Sequence, residues 1–138
     1  MQKRHSIQGT VTAGRQLGRT LGFPTANIEL AATGRSRDKE QDGVWLARAA
    51  WEDDRGTHRR WALVNIGTAP TVTPEKRPKA EAWLFDFTGD LYGRELRIDL
   101  LHYLRPERKF ASVEELRRAM EADKQKALDI IAYHEFTL

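Results

Sequence analysis

Residues 43–51, Gly-Val-Trp-Leu-Ala-Arg-Ala-Ala-Trp, alternate along the chain with a period of two. Trp45 and Trp51 fall on one side of an extended chain, with two alanines between them, and Val44 falls on the other side. The segment therefore predicts a largely buried strand. Similar runs appear in four further segments, residues 7–11, 60–66, 80–87 and 95–103. Charged or turn-rich stretches separate them, so the chain is predicted to be mostly β-structure.

The last third of the chain changes to a helical period. Ser112-Val113-Glu114-Glu115 has the pattern of a capping box, and an apolar stripe continues to about Tyr133. The predicted stripe consists of Val113, Leu116, Met120, Ala127 and Ile131. Five or six strands followed by a single helix favour a small barrel over a layered α/β domain.

Asp123 interrupts the apolar stripe of this helix. A carboxylate on a buried face needs a partner, because an unpaired buried charge is costly. Arg105, which precedes the helix, is one candidate partner. Alternatively, Asp123 lies at the edge of the stripe in water, as most aspartates do. The sequence leaves both interpretations open.

The composition sets broad limits on function. At 138 residues without cysteine, the chain has the size of one domain and needs no disulfides. Its 23 basic and 20 acidic residues leave a net charge of +3, which favours anionic ligands such as nucleotides without indicating nucleic acid. No apolar run has the length of a signal peptide or a membrane span. We therefore expect a cytoplasmic protein with no membrane partner.

Residues 18–27, Gly-Arg-Thr-Leu-Gly-Phe-Pro-Thr-Ala-Asn, combine loop glycines with a cation, a hydroxyl and an amide. Glycines let backbone N–H groups approach a phosphate, and Arg19 can balance its charge. Pro24 favours an extended chain, so Thr25 and Asn27 should share one face of a strand. Their oxygens suit Mg²⁺, which completes its shell with water and substrate phosphates. An ordinary glycine-rich turn is the alternative interpretation.

Glu81 is the carboxylate of greatest chemical interest. In a strand it shares a face with Trp83, Phe85 and Phe87, and we expect this apolar wall to raise its pKa. Such a group can accept a proton from an alcohol that attacks a phosphoryl group. The alternative is a structural ion pair with a cation of residues 76–79.

Four motifs together resemble the riboflavin kinase (flavokinase) family in order and spacing. They are residues 18–27, residues 65–71, Glu81 with residues 86–93, and residues 104–107 with Phe110 and Ser112. The resemblance extends from Gly9 to about Ala127. It implies an all-β fold, a closed antiparallel Greek-key barrel of about six strands with a C-terminal α-helix. We expect one domain over residues 1–138, with the barrel at about 5–104 and the helix at about 112–133.

The resemblance also implies roles for individual residues. Glu81 would be the catalytic base, and Thr25 and Asn27 would hold Mg²⁺. The implied nucleotide-binding residues are Gly14, Arg19, Thr25, Leu84, Asp86 and Tyr92. The implied flavin-binding residues are Arg105, Arg108 and Phe110, which can stack on or hydrogen-bond to an isoalloxazine ring.

The activity implied is phosphorylation of riboflavin by Mg-ATP to give FMN and ADP, by a monomer without a nucleic-acid partner. The His-x-Gly-His type signature of FAD-forming adenylyltransferase domains is absent, so we expect no FAD synthesis. Trp83 stands where the family usually has His, which puts the rate in question more than binding. The alternative from another class is a non-catalytic barrel that binds a flavin, a nucleotide or single-stranded RNA.

Overall fold

The computed structural model describes residues 5–12, 25–29, 42–68 and 78–138. Within these residues the chain forms six strands followed by one helix. The elements are β1 (His5–Thr10), β2 (Thr25–Glu29), β3 (Gly43–Asp53), β4 (Gly56–Thr68), β5 (Pro78–Leu84), β6 (Glu95–Arg105) and α1 (Val113–His134). Every segment with an alternating pattern contains a strand, and the helix lies where the change of period predicts it.

The strands form one antiparallel sheet in the order β1-β6-β3-β4-β5-β2. The strand β6 returns to lie beside β3, the first strand of the β3-β4-β5 meander, which is Greek-key topology. An isolated bridge joins the chain after β1 to β2, the strand at the other edge of the sheet. In this bridge the Thr12 backbone N–H donates to the Asn27 carbonyl at 2.8 Å. The predicted fold is therefore confirmed as a nearly closed six-stranded barrel with a C-terminal helix.

Small and β-branched side chains fill the barrel interior. Alternate residues of all six strands point inward and are almost fully buried, including Ile7, Ala26, Ile28, Ala47, Ala49, Ala62, Val64, Ile66, Ala80, Ala82, Leu96 and Ile98. Trp51 and Leu91 are buried in the same cluster. Alanines at so many inward positions let the strands approach across a narrow interior.

A second apolar cluster joins the outer face of the sheet to α1. It contains Val44, Leu46, Leu63, Trp83, Phe85, Leu104, Met120 and Ala127. Ser112 caps the helix, because its hydroxyl accepts a hydrogen bond from the Glu115 backbone N–H at 3.1 Å. Val113 was wrongly predicted as part of the buried stripe. Val113 is 53% exposed, because this first residue of the helix packs against neither apolar cluster.

Phe87 also departs from its prediction. The strand β5 ends at Leu84, and Asp86 adopts a left-handed backbone conformation with φ of 53°. This turn redirects the chain, so that the Phe87 ring meets the edge of Trp51 at a centroid distance of 5.1 Å. Phe87 therefore packs against the interior cluster and does not share the outer face with Glu81.

An ion pair connects α1 to the end of β6. The Arg105 guanidinium donates to both oxygens of Asp123 at 2.8–3.1 Å, and the Asp123 side chain is 8% exposed. The interpretation that Arg105 pairs with Asp123 is thus confirmed, and the one that placed Asp123 in water is wrong. Within the described ranges, no helix has both the length and the apolar composition needed to cross a bilayer.

We predict that Asp123→Ala lowers the free energy of unfolding by about 3 kcal/mol, because it leaves the partly buried Arg105 charge without its carboxylate partner. Asp129→Ala is the matched control, since Asp129 is exposed on the same helix and accepts a bond only from Gln125 among the described contacts. We expect that variant to change stability by less than about 0.5 kcal/mol. Urea denaturation measures both, and equal losses would contradict the prediction.

Candidate functional site

Three polar side chains form a row across neighbouring strands. Asn27 of β2 is the direct register partner of Glu81 of β5, and Glu81 is in turn the partner of Asn65 of β4. Directly opposed residues of antiparallel strands project from the same face of a sheet, with Cβ atoms about 4.5–5.5 Å apart. We call these three residues the polar row. Because their strand neighbours Ala26 and Ala80 point into the barrel, the row lies on the outer face.

The polar row borders the apolar surface under the helix. Two residues further along β5, Trp83 is the register partner of Leu63, and both are buried in the cluster beneath α1. Glu81 is half-buried and Asn27 is 5% exposed. The indole N–H of Trp83 is buried and has no hydrogen-bond partner among the described residues. The predicted apolar neighbourhood of Glu81 is therefore present on the helix side.

Asn65 is bound to the segment that follows β6. Its side-chain N–H donates to a carboxylate oxygen of Glu107 at 2.8 Å, while its carbonyl oxygen is buried without a partner in the described structure. The Glu107 carboxylate lies against Gly67, where an added Cβ would come within 2.6 Å of one carboxylate oxygen. Asn65 and Gly67 of one motif therefore meet Glu107 of another motif, far away in the sequence, beside Glu81.

The predicted flavin-binding residues lie in this same segment. Arg105 is the register partner of Val44, and Val44 is the partner of Asn65 on its other side, so Arg105 lies two strands beyond Asn65 on the same face. The Arg108 guanidinium carbon lies 4.9 Å from the ring centroid of Phe110, and that of Arg105 lies 5.7 Å away. The structure thus brings the three predicted flavin-binding residues to the Asn65 end of the polar row.

The predicted nucleotide-binding residues are more dispersed. Leu84 is 2% exposed and belongs to the interior cluster. It is the last residue of β5 and so lies at the end of that strand away from Lys79. Asp86 is exposed in the following turn, where its backbone carbonyl accepts a bond from Arg60 at 3.3 Å. Tyr92 is 37% exposed. Gly14 and Arg19 lie outside the described residues, so their predicted roles remain predictions.

The metal prediction rests on Thr25 and Asn27. The backbone places them two residues apart on β2, with Thr25 opposite Trp83 and Asn27 opposite Glu81. Of the two side chains only that of Asn27 is described. In the part of the chain that the structure describes, no group of three or more His, Asp or Glu side chains has an arrangement suited to a metal ion.

His58 lies near the end of the barrel opposite to the polar row, where its described contacts are structural. The His58 ring stacks on Trp51 at 5.5 Å and shares a 2.8 Å hydrogen bond with Asp53. This hydrogen bond is the main reason that the pKa of Asp53 is lowered. The contacts account for His58 without a catalytic role.

Sequence reasoning assigned no role to Asn65 or Glu107, although both lie in motifs that it singled out. The sequence contained one signal for Asn65. Position 65 carries a polar side chain on the outward face of its strand, while the adjacent residues of that strand are apolar. Its link to Glu107 spans 42 residues and depends on the sheet register, which local patterns do not contain.

The fold and site define a small antiparallel barrel whose polar row lies on the outer face beside a C-terminal helix. The family model described as riboflavin kinase (flavokinase) matches residues 1–131. The chain belongs to the riboflavin kinase family.

Individual proteins agree with this assignment. An RNA-binding riboflavin kinase of Bacillus subtilis, RibR, is 38% identical over 119 residues, which are 85% of this chain and 47% of the relative. A bifunctional riboflavin kinase/FMN adenylyltransferase of Pseudomonas fluorescens is 39% identical over 127 residues, 91% of this chain and 38% of the relative. The chain therefore spans less than half the length of these relatives. The riboflavin kinase structure from Trypanosoma brucei shares the fold, with a TM-score of 0.64, 23% identity, and coverage of 95% of this chain and 82% of that one.

Proposed function

We propose that this chain transfers the γ-phosphoryl group of ATP to the 5′-hydroxyl of riboflavin, giving FMN and ADP. The observation that carries the proposal is the register that sets Glu81 between the amide side chains of Asn27 and Asn65. Family membership supports the same chemistry. The proposed activity is riboflavin phosphorylation alone. We also propose that the protein is monomeric and cytoplasmic and that residues 1–138 form one domain.

Glu81 acts as the general base in this proposal. Its carboxylate accepts the proton of the ribityl 5′-hydroxyl while that oxygen forms a bond to the γ-phosphorus. The bond between the γ-phosphorus and the bridging oxygen breaks, and ADP leaves with the electron pair. Such transfers require mainly positioning and charge stabilisation, and the neighbouring strands supply the positioning.

Asn27 and Thr25 are the proposed Mg²⁺ ligands. An amide oxygen and a hydroxyl fit this hard cation, and the buried position of Asn27 beside Glu81 would set the ion next to the reacting groups. When bound, Mg²⁺ neutralises phosphate charge. Asn27 and Thr25 are two residues apart on β2, so their backbone positions belong to the same face of the strand.

The two substrates approach Glu81 from different sides. Riboflavin is placed along residues 105–110, where Phe110 offers a ring face and the two arginines offer donors. The nucleotide is placed toward Leu84, Asp86 and Tyr92, with the loop that carries Gly14 and Arg19. The bond between Glu107 and Asn65, which joins residues 105–110 to the Asn65 end of the polar row, supports this proposed position of riboflavin.

A binding barrel without catalysis is the second candidate function. Trp83 in place of the family's usual His favours it, and one relative is described as an RNA-binding riboflavin kinase. Incubation with riboflavin, ATP and Mg²⁺, followed by chromatography for FMN and ADP, separates the candidates. Flavin binding without turnover would support a flavin-binding module. Salt-sensitive binding of a single-stranded RNA oligonucleotide without flavin affinity would support an RNA-binding module.

We predict that Glu81→Gln lowers kcat by about 10²- to 10⁴-fold, because the amide cannot accept the hydroxyl proton. Riboflavin and Mg-ATP should bind within about twofold of the parent, since the shape is retained. The control is Glu95→Gln, an exposed glutamate that accepts a bond from Gln8 on the other side of the barrel. Steady-state kinetics and equilibrium binding measure both effects. Full activity of the Glu81 variant would remove this residue from the base role.

We predict that Thr25→Ala weakens Mg-ATP binding by about tenfold and raises the Mg²⁺ concentration needed for half-maximal rate, because one metal ligand is lost. Riboflavin affinity should not change. Thr10→Ala, at an exposed position on β1, serves as the control. A magnesium titration at fixed ATP measures the effect, and an unchanged titration curve would exclude Thr25 as a ligand.

A further inference from the structure

The buried carbonyl oxygen of Asn65 needs a donor that the described residues do not supply. We propose that Asn65 is a flavin-binding residue held in place by Glu107, and that its side-chain oxygen accepts a hydrogen bond from a ribityl hydroxyl of riboflavin. This inference rests on the proposed function, because it identifies how the sugar chain is held beside Glu81.

The contact with Glu107 fixes the orientation of the Asn65 amide. Its N–H group donates to the Glu107 carboxylate at 2.8 Å. The reverse orientation would set the amide oxygen against a carboxylate, which can only accept hydrogen bonds when ionised. The amide oxygen of Asn65 is therefore directed away from Glu107, and it has no hydrogen-bond partner among the described residues.

Gly67 allows Glu107 to take this position. It lies two residues beyond Asn65 on the same face of β4, and an added Cβ would come within 2.6 Å of a Glu107 carboxylate oxygen. The carboxylate can reach Asn65 in this way because position 67 carries no side chain. Glu107 acts as a positioning residue, since it contacts the amide and not the reacting atoms.

The unpaired oxygen indicates the chemistry of the missing partner. A buried acceptor without a donor is energetically costly, so a ligand that supplies a donor recovers that free energy. Asn65 as a residue is only half-buried, so in this proposal the donor arrives from its exposed side, on the outer face of the sheet. Asn65 is the register partner of Glu81, so a hydroxyl group bound to Asn65 would lie on the same face of the sheet as the proposed base.

The same contact joins the two parts of the flavin site. Glu107 lies three residues before Phe110, whose ring is within 4.9 Å of the Arg108 guanidinium carbon. A displaced Glu107 would therefore shift both the amide that holds the sugar chain and the segment proposed to hold the ring system. Riboflavin affinity should depend on Asn65 and Glu107 as a unit.

Binding of riboflavin and of lumiflavin, which lacks the ribityl chain, tests the proposal by quenching of flavin fluorescence. Asn65→Ala should weaken riboflavin binding about tenfold and leave lumiflavin binding unchanged. Glu107→Ala should weaken riboflavin binding about threefold to fivefold, and the double variant should be no weaker than Asn65→Ala alone. Glu107→Gln retains an acceptor for the amide and should bind as the parent does. Glu95→Ala, an exposed change elsewhere on β6, is the matched control.

Three results would overturn the inference: parental riboflavin affinity in Asn65→Ala, an equal loss of lumiflavin affinity, or additive losses in the double variant. Circular dichroism establishes that each variant is folded, and the pair Glu107→Ala and Glu107→Gln tests the contact even where Asn65→Ala does not fold. If the parent binds riboflavin through Asn65 but makes no FMN, the kinase proposal fails and this inference stands. If the parent makes FMN and its riboflavin affinity does not depend on Asn65, only this inference fails.

Discussion

The register of β5 between β2 and β4 is the constraint on which the candidate site depends. It gives Glu81 a partner on each side, Asn27 and Asn65, and it directs all three side chains outward. A slip of one residue would turn Glu81 into the barrel and move Ala80 and Ala82 out of it. An ionised carboxylate in that apolar interior would be very costly. The same register therefore places the small residues inside the barrel and the Glu81 carboxylate on its outer face.

The filled interior also decides where a ligand can bind. Residues such as Val64, Leu96 and Ile98 are fully buried, and alanines occupy many of the remaining inward positions. A barrel packed to this density holds no molecule of the size of a flavin. A ligand of that size would therefore bind outside the filled interior, and α1 already covers part of the outer face through Leu63 and Trp83. The polar row begins where that covered surface ends, so the helix sets one border of the site.

The sequence predicted the elements of this structure better than it predicted their contacts. Alternation and the change of period are local properties, so they located the strands, the Ser112 cap and the helix. Phe87 was misplaced because the left-handed turn at Asp86 breaks the alternation. The bond between Asn65 and Glu107 was not predictable, since it joins positions that only the barrel brings together. The proposed role of Glu81 rests on family resemblance, because no local pattern distinguishes a catalytic carboxylate from an ion-paired one.

Trp83 links helix packing to the chemistry of Glu81. It is 6% exposed in the cluster beneath α1, and it shares the outward face of β5 with Glu81, two residues away. A large buried aromatic side chain strengthens the attachment of the helix. It also places apolar surface at a position where a histidine would offer Glu81 a hydrogen-bonding neighbour. The amide neighbours of Glu81 in the described sheet come instead from β2 and β4. Its orientation in this chain thus follows from strand register, and through Asn65 it is connected to Glu107 and the segment that begins the helix.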